Sequence, residues 1–237
     1  MTEGALSDGL SILMPVYNEV DRVEKALQKT LAVELPCPFE IVVVDDGSTD
    51  GTTELLRAGK WPENVRVHFH DRNRGKGAAV RTALADARME FSAIFDADLE
   101  YEPADLAVML EPLLQEDGVR VVYGSRTFDG YHSHSFWFVM GNKGVTLAAN
   151  ILFNVYIHDL MTCQKAIDTQ LFRSLPLRAN GFSIEPEITS RLLQRGAKIY
   201  EVPVQYRARG SDEGKKLTAA DGFRVLWTLV RCRLTSA

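Results

Sequence analysis

The chain has 237 residues, of which 46% are hydrophobic and 25% are charged, as in an ordinary globular protein with a buried core. Lysine and arginine number 27 against 32 aspartate and glutamate, and the net charge of −5 argues against a nucleic-acid-binding protein. The three cysteines show no C-x-x-C spacing, which argues against a disulfide framework or a cysteine-ligated zinc site and indicates a reducing compartment.

Hydropathy gives no sign of a membrane span or a secretion signal. No apolar run reaches the roughly 18 residues that a spanning helix requires. The first nine residues include Glu3 and Asp8 and no apolar stretch, so we expect no signal peptide. We therefore expect a soluble or peripheral protein of the cytoplasm, with contact at the cytoplasmic membrane face or with a membrane partner subunit as an open alternative.

Short β-rich segments alternate with segments of helical periodicity through the first half of the chain. The predicted strands are Leu10–Met14, Glu40–Val44, Val65–Phe69, Phe91–Phe95 and Arg120–Tyr123. The predicted helices are Val20–Leu31, Thr52–Arg57, Gly77–Ala87 and Ala104–Leu114. This alternation predicts an α/β fold with a doubly wound, mostly parallel sheet and flanking helices. Ligands of such sheets bind beyond the carboxyl ends of the strands, so the residues after each strand are candidate site residues.

The second half is richer in helices. The predicted elements are helices at Phe136–Ile157, Ile184–Arg195 and Ala219–Cys232 and a strand at Lys198–Val204. We predict one domain over residues 1–237, with a sheet-based half at 10–123 and an appended half at 124–237. The last helix carries an apolar stripe, for which we predict packing against the core, with contact at a membrane surface as the alternative. The stripe consists of Phe223, Leu226, Trp227 and Val230.

Acidic residues follow two of the predicted strands. Asp45 and Asp46 follow the second strand, where adjacent carboxylates are costly unless they bind a ligand or form a turn. Asp96, Asp98 and Glu100 follow the fourth strand, and alternate residues of an extended segment point the same way. Three hard oxygen ligands without histidine or cysteine suit Mg²⁺ or Mn²⁺. We predict a metal site here, with a solvated acidic turn as the alternative.

The segments after the first and third strands concern nucleotide binding. No G-x-G-x-x-G follows the first strand, which argues against a dinucleotide-binding dehydrogenase. The third strand is followed by glycines and Lys76 at a helix start, a pattern that suits a diphosphate or else a structural turn.

Together these segments resemble a known family. The motifs are P-V-Y-N-E (15–19), D-D-G-S-T-D (45–50), N-R-G-K-G-A-A (73–79) and D-A-D-L-E (96–100). In this order and spacing they resemble family 2 glycosyltransferases of the GT-A fold, most closely the dolichyl-phosphate mannose and glucose synthase branch. Later segments resemble the same branch: G-S-R (124–126), T-C-Q-K (162–165), F-S-I-E-P-E (182–187), E-V-P-V-Q-Y (201–206) and E-G-K-K (213–216).

The resemblance implies inverting transfer of a hexose from a UDP- or GDP-sugar to a polyprenyl phosphate. It implies that residues 10–123 bind the nucleotide sugar and that residues 124–237 form the acceptor side. The resemblance implies that Pro15, Tyr17, Glu19, Asp46 and Asp96 bind the nucleotide sugar. Lys76, at the glycine-rich helix start, is predicted to bind it as well. Asp98 and Glu100 are expected to hold Mg²⁺ or Mn²⁺ against the diphosphate, which makes Asp98 catalytic.

The acceptor decides whether a general base is needed. A phosphate monoester has a second pKa of about 6, so a polyprenyl phosphate is already anionic and needs cations instead of a base. The predicted phosphate-binding residues are Arg126, Arg207 and Lys215, and Arg126 is also predicted to be catalytic. Arg209 and Lys216 lie in the same charged segment as Arg207 and Lys215.

A soluble hydroxyl acceptor, such as a small metabolite, is the alternative, and it requires a carboxylate to remove the proton. Glu187 and Asp159 are the candidates. We place Glu187 in the first turn of its helix and Glu185, which precedes Pro186, before the helix start.

Two other classes remain for comparison. A sugar nucleotidyltransferase would need a glycine-rich, arginine-containing loop after the first strand, which Pro15–Glu19 is not. A nucleotide-binding regulatory module would not need the three carboxylates after the fourth strand. The chain departs from many members of the branch by carrying Glu100 where they have glutamine and by lacking their C-terminal transmembrane helices.

Overall fold

The computed structural model describes residues 6–126, 136–207 and 219–235. The strands are β1 (Ser7–Val16), β2 (Phe39–Asp45), β3 (Val65–Phe69), β4 (Met89–Ile94), β5 (Val121–Arg126), β6 (Lys165–Asp168) and β7 (Tyr200–Val204). The helices are α1 (Val23–Leu31), α2 (Thr52–Ala58), α3 (Lys76–Asp86), α4 (Asp105–Gln115), α5 (Phe136–Phe153), α6 (Thr169–Ser174), α7 (Ile184–Gln194) and α8 (Ala219–Leu234).

The seven strands form one sheet in the order β3-β2-β1-β4-β6-β5-β7. All neighbours pair in parallel except β6, which runs antiparallel to both β4 and β5. The predicted doubly wound, mostly parallel sheet is therefore confirmed. Because β1, β2 and β4 are adjacent and parallel, their carboxyl ends meet at one edge of the sheet.

The central strands are buried on both faces, as their continuous apolar sequences predict. In β2, Ile41 and Val43 pack into one hydrophobic cluster while Val42 and Val44 pack into the other, and all four side chains are fully buried. Helices α1, α2 and α4 cover the first face, and α3, α6 and α7 cover the second. The result is a three-layer α/β/α arrangement around the sheet.

Helices α5 and α8 form a smaller cluster beside this core. Val145 and Ala149 of α5 pack with Val225 and Leu229 of α8 against the segment 157–161. The backbone ends α5 at Asn154, which adopts a left-handed φ of 51°. None of the helices in the described ranges is both long and apolar enough to cross a membrane.

The prediction that the apolar stripe of the last helix packs into the core is wrong. Phe223 and Trp227 are 74% and 68% exposed. The side chains that pack are Val225, Leu229 and Cys232, on another side of α8. Periodicity showed that an apolar stripe exists, but two stripes share this helix, and the sequence does not tell which one faces the protein.

Candidate active site

The acidic segment after β4 forms a turn and does not continue the strand. Residues 97–100 are in turn and bend conformations, and Leu99 has a left-handed φ of 63°. The Glu100 backbone N–H donates to Asp98 Oδ1 at 3.1 Å, which ties the two residues together. The expectation that strand alternation aims Asp96, Asp98 and Glu100 at one point is therefore wrong.

The three carboxylates have different surroundings. Asp96 Oδ2 accepts from Lys76 Nζ at 2.8 Å, and Glu100 Oε2 accepts from the Tyr206 hydroxyl at 2.9 Å. Within the part of the chain that the structure describes, no three His, Cys, Asp or Glu side chains are grouped closely enough to hold a metal ion. Asp98 and Glu100 still fit a cation of the Mg²⁺ type, which typically takes one or two carboxylates and completes its shell with substrate phosphates and water.

Lys76 belongs to a charge row that consists of Asp96, Lys76, Glu185 and Lys165. Its Nζ lies 2.8 Å from Asp96 Oδ2 and 3.1 Å from Glu185 Oε1. Glu185 Oε2 lies 2.6 Å from Lys165 Nζ, and these two side chains are 1% and 0% exposed. The charge row thus begins at the acidic turn and ends in the interior, with two cations alternating with two anions.

The charge row keeps Lys76 cationic. Burial by itself would lower the pKa of Lys76, but the carboxylates of Asp96 and Glu185 outweigh it and raise that pKa well above its ordinary value. A cationic ammonium group therefore lies at the start of α3, where the sequence predicted diphosphate binding.

Lys165 anchors the inner end of the charge row. Besides Glu185, its ammonium group donates to the carbonyl oxygens of Leu160, at 3.3 Å, and Thr162. It also lies 4.8 Å from the centroid of the Tyr123 ring. Because a lysine ammonium has three protons, these three acceptors use its full donor capacity and fix Glu185 from behind.

The prediction that Glu185 lies before the helix start is wrong. Helix α7 begins at Ile184, so Glu185 and Glu187 both lie in its first turn. Pro186 is tolerated there because a first-turn N–H has no partner within the helix.

Glu187 faces away from the charge row. Its Oε2 accepts from the backbone N–H groups of Arg178 and Ala179 at 2.9 and 2.7 Å, and its Oε1 accepts from Arg231 at 3.2 Å. The residue is 0% exposed. Both oxygens therefore hold the 178–179 segment and α8 against α7. This arrangement argues against the general-base role predicted for Glu187.

Asp46 shapes the loop that opens α3. Its Oδ1 accepts from the Arg74 backbone N–H at 2.9 Å and lies 2.6 Å from His70 Nδ1, and its Oδ2 accepts from the Gly75 N–H at 2.6 Å. Gly75 has a φ of 94°, and a Cβ there would lie 2.3 Å from the Asn180 carbonyl oxygen. Only glycine fits this close approach.

The first motif lies beside Asp46. The Asp46 backbone N–H donates to the Val16 carbonyl at 2.8 Å, which joins the ends of β1 and β2. Pro15 is the second-last residue of β1, and Tyr17 and Glu19 follow its end. The Tyr17 side chain is 43% exposed. Five of the six predicted nucleotide-sugar-binding residues thus lie along the ends of three adjacent strands, β2, β1 and β4, and the sixth, Lys76, begins α3 and contacts Asp96.

The other member of the aspartate pair is structural. Asp45 is 0% exposed, and its oxygens accept from the Ser48 N–H at 3.2 Å, the Ser48 hydroxyl at 2.5 Å and the Thr53 hydroxyl. For Asp45 the turn-forming interpretation is therefore the correct one.

Arg126 and Asp159 form a buried, two-pronged ion pair. Arg126 Nε and Nη2 lie 2.6 and 2.8 Å from Asp159 Oδ2 and Oδ1, and Asn142 of α5 also donates to Oδ1 at 3.0 Å. Burial opposes the charged form, yet the hydrogen bonds and charge of Arg126 lower the pKa of Asp159. An anion held in this way is a weak proton acceptor, which argues against Asp159 as a general base.

Tyr206 connects this ion pair to the acidic turn. Its hydroxyl donates to Glu100 Oε2, and the Arg126 guanidinium carbon lies 5.1 Å from its ring centroid. An isolated antiparallel bridge between Tyr101 and Tyr206 holds the two segments together. Arg207 follows, with its backbone N–H donating to the Glu100 carbonyl at 2.8 Å and its side chain 68% exposed.

Some of the predicted acceptor cations cannot be placed. Lys215, Arg209 and Lys216 lie outside the described residues. Conversely, Lys165, Glu185 and Tyr206 were not predicted as site residues. In the sequence they stood out only by lying within the motifs 162–165, 182–187 and 201–206. A single buried lysine, glutamate or tyrosine in a short segment has no pattern that reveals a functional role.

Comparison with known proteins decides the family. The model of the family described as glycosyl transferase family 2 matches residues 11–176. The chain belongs to this family. The resemblance inferred from the motifs is thereby confirmed, and with it the prediction of a family 2 glycosyltransferase.

Two curated relatives of this glycosyltransferase carry names that include a lipid phosphate. A dolichol-phosphate mannosyltransferase of Pyrococcus furiosus is 26% identical over 94% of the chain. An undecaprenyl-phosphate 4-deoxy-4-formamido-L-arabinose transferase of Pseudomonas aeruginosa is 28% identical over 97% of the chain. The chain spans 64% and 66% of the lengths of these two relatives.

A solved structure supports the fold. Glucosyl-3-phosphoglycerate synthase from Mycobacterium tuberculosis, in complex with Mn²⁺, UDP and glucosyl-3-phosphoglycerate, superposes with a TM-score of 0.74. The match covers 95% of this chain and 80% of that one at 22% identity. The GT-A fold predicted for this glycosyltransferase is confirmed.

Proposed function

We propose that this glycosyltransferase moves a hexose, with inversion and with the help of Mg²⁺ or Mn²⁺, from a UDP- or GDP-sugar to a polyprenyl phosphate. The observation that carries the proposal is the placement of Asp98 and Glu100 at the carboxyl end of β4, next to Lys76, whose Nζ lies 2.8 Å from Asp96. In a member of glycosyl transferase family 2, this is where the departing diphosphate needs positive charge.

On the donor side, the residues of this chain bind and orient. Asp98 and Glu100 would hold the divalent cation, and Tyr206 fixes one oxygen of Glu100 by its hydrogen bond. When bound, that cation neutralises charge on the diphosphate as the glycosidic bond breaks. Lys76 would bind the same diphosphate from the α3 side. Pro15, Tyr17, Glu19, Asp46 and Asp96 are proposed to line the nucleotide-sugar pocket.

On the acceptor side, the surroundings of the two carboxylates proposed as bases favour a phosphate. The carboxylate oxygens of Asp159 and Glu187 all accept structural hydrogen bonds. A polyprenyl phosphate needs no base, because its phosphate is anionic at neutral pH with a second pKa of about 6. Arg126 and Arg207 flank Tyr206 and Glu100 and are proposed to attract that phosphate, together with Lys215. The names of the two curated relatives support this choice.

A soluble hydroxyl acceptor is the second candidate, since a protein of the same fold has been solved with a small water-soluble compound. The Mycobacterium tuberculosis synthase has also been solved with phosphoglyceric acid. That likeness, at 22% identity, concerns the fold alone. Transfer to a hydroxyl would require a carboxylate with an accessible oxygen.

A labelled-donor screen separates the two acceptors. The enzyme is incubated with radiolabelled UDP- and GDP-sugars, Mn²⁺, and either a polyprenyl phosphate or a pool of small hydroxyl compounds, and the product is partitioned between organic solvent and water. Label in the organic phase supports the polyprenyl phosphate, whereas label confined to a water-soluble glycoside supports the alternative. Asp98→Ala is expected to lower kcat by roughly 10²–10³, as loss of comparable electrostatic stabilisation does. Unchanged turnover in that variant would contradict the metal-binding assignment.

A further inference from the structure

Helix α5 exposes an apolar stripe to solvent. Phe136, Met140, Leu147 and Ile151 are 65%, 38%, 59% and 72% exposed. Their spacings of four and seven residues place them on one side of the helix. Single large exposed side chains are common on protein surfaces, but four on one side of one helix form an apolar stripe, which is interrupted only by the turn at Lys143 and Gly144.

Helix α8, which packs against α5, exposes a second stripe. Phe223, Trp227, Val230 and Leu234 are 74%, 68%, 38% and 81% exposed. The two helices contact each other through other residues, so both stripes face outwards. These eight residues are called the α5–α8 apolar surface below.

Positive charge accompanies this surface. Helix α5 contains Lys143 and no acidic residue, and α8 contains Arg224, Arg231 and Arg233 with Asp221 as its one acidic residue. The chain as a whole has a net charge of −5. Arg231 is paired with the buried Glu187, but Lys143, Arg224 and Arg233 still outnumber Asp221, so the two helices carry net positive charge in an otherwise acidic protein. A helix that lies in the headgroup region of an anionic bilayer inserts apolar and aromatic side chains, and its arginines attract the anionic lipids.

We propose that the α5–α8 apolar surface docks this enzyme on an anionic lipid bilayer. The inference rests on the proposed function, since a polyprenyl acceptor resides in a membrane. The charge also argues for lipid over a second copy of the chain, because a two-fold interface through this surface would bring the same basic helices face to face.

The surface is linked to the acceptor side of the site. Asn142, on α5, donates to Asp159, which holds Arg126. A bilayer under α5 and α8 would therefore lie close to the residues proposed to bind the acceptor phosphate.

Sedimentation with lipid vesicles tests the proposal. The probes are vesicles of phosphatidylcholine alone and vesicles in which about a third is phosphatidylglycerol. The double variant F223S/W227S is compared with V108S/L114S, which removes two aliphatic side chains that are 42% and 44% exposed on α4. We expect the wild type and the α4 variant to bind the anionic vesicles, and F223S/W227S to bind at least about tenfold more weakly, since its largest membrane-facing side chains are lost.

The outcomes are distinguishable from those that test the function. Equal vesicle binding by both double variants, or no binding by the wild type, would overturn the docking proposal. So would a wild-type dimer in analytical ultracentrifugation that F223S/W227S converts to a monomer, because a second copy would then cover the surface. Calorimetry with UDP and GDP in the presence of Mn²⁺ runs in parallel. Retained nucleotide binding without vesicle binding rejects only the docking, and vesicle binding without nucleotide binding rejects only the transferase.

Discussion

At the scale of single residues, Glu185 and Glu187 show how position decides the use of a carboxylate. They are two residues apart in α7 and are 1% and 0% exposed. Glu185 lies between two lysines, and Glu187 lies between two backbone N–H groups and an arginine. The first can influence a ligand through Lys76, whereas the second is confined to holding segments together.

The pair of variants E185Q and E187Q separates these roles. E185Q leaves two buried lysines without their shared counter-charge and is expected to lower the free energy of unfolding by about 3–5 kcal/mol. E187Q is expected to cost less, about 1–3 kcal/mol, because its charged partner Arg231 is 43% exposed. Only E185Q releases Lys76 from one of its two anchors. We expect its kcat/KM for the donor to fall about 100-fold, as a misplacement of about 1 Å can cause.

Steady-state kinetics and urea denaturation of both variants supply the comparison. E187Q is expected to retain wild-type kcat at temperatures where it is folded. The opposite pattern, with turnover lost in E187Q and kept in E185Q, would restore Glu187 as the catalytic base.

At the scale of secondary-structure elements, the Arg126–Asp159 pair joins β5 to the segment after α5. Asn142 adds α5 itself to this junction. Both charges are buried, with 6% and 2% of their side chains exposed. Such a pair holds its elements in one arrangement, because removal of either partner leaves an uncompensated charge in the interior.

Acid titration of D159N tests this junction. The pKa of Asp159 is lower in the folded protein than in the unfolded chain, where it is about 4. The ion pair therefore stabilises the folded protein fully at pH values above about 4. That stabilisation is lost as the pH falls through the folded-state pKa. We expect D159N to be less stable than the wild type by about 3 kcal/mol at pH 7, and the difference to shrink towards pH 3.

Urea denaturation at a series of pH values measures this difference. The variant D117N, at an exposed aspartate, serves as the control and is expected to stay within about 0.5 kcal/mol of the wild type. A difference between D159N and the wild type that does not change with pH would contradict the argument.

Elements with strong periodicity could be predicted from the sequence, and short polar ones could not. Helix α4 was expected at Ala104–Leu114 and spans Asp105–Gln115, and β3 was expected with its observed bounds. Strand β6 was missed because its four residues, K-A-I-D, carry a charge at each end. The acidic turn was located correctly. Its internal geometry depends on the left-handed conformation of Leu99, which no sequence pattern predicts.

Partners distant in sequence account for the rest. The connection of Lys165 to Lys76 through Glu185 joins three segments, and no local rule pairs them. For the same reason the sequence assigned the two glutamates wrongly: the proline after Glu185 suggested a position before the helix, and nothing local showed that Glu185 contacts both lysines.

At the scale of the whole molecule, donor binding should stabilise the fold in a metal-dependent way. A ligand at about 100 times its Kd adds about 2.7 kcal/mol to the free energy of unfolding. For a chain of this size we expect UDP or GDP with Mn²⁺ to raise the Tm by about 5–10 °C.

Differential scanning calorimetry with each nucleotide, with and without Mn²⁺, measures the shift. The Asp98→Ala variant is expected to lose the part that depends on Mn²⁺. An equal shift with and without the metal would instead favour a nucleotide-binding regulatory module.

The antiparallel strand β6 has a consequence for biosynthesis. Among the strands that the structure describes, β5 pairs with β6 and β7 alone, and both of these follow it in the chain. While the polypeptide emerges from the ribosome, β5 therefore leaves the exit tunnel before either neighbour exists. Its unpaired edge, V-V-Y-G-S-R, stays open to wrong pairing until residues 165–168 have been translated. Nascent-chain truncations that end between β5 and β6 should for this reason depend on chaperones more than the finished protein does.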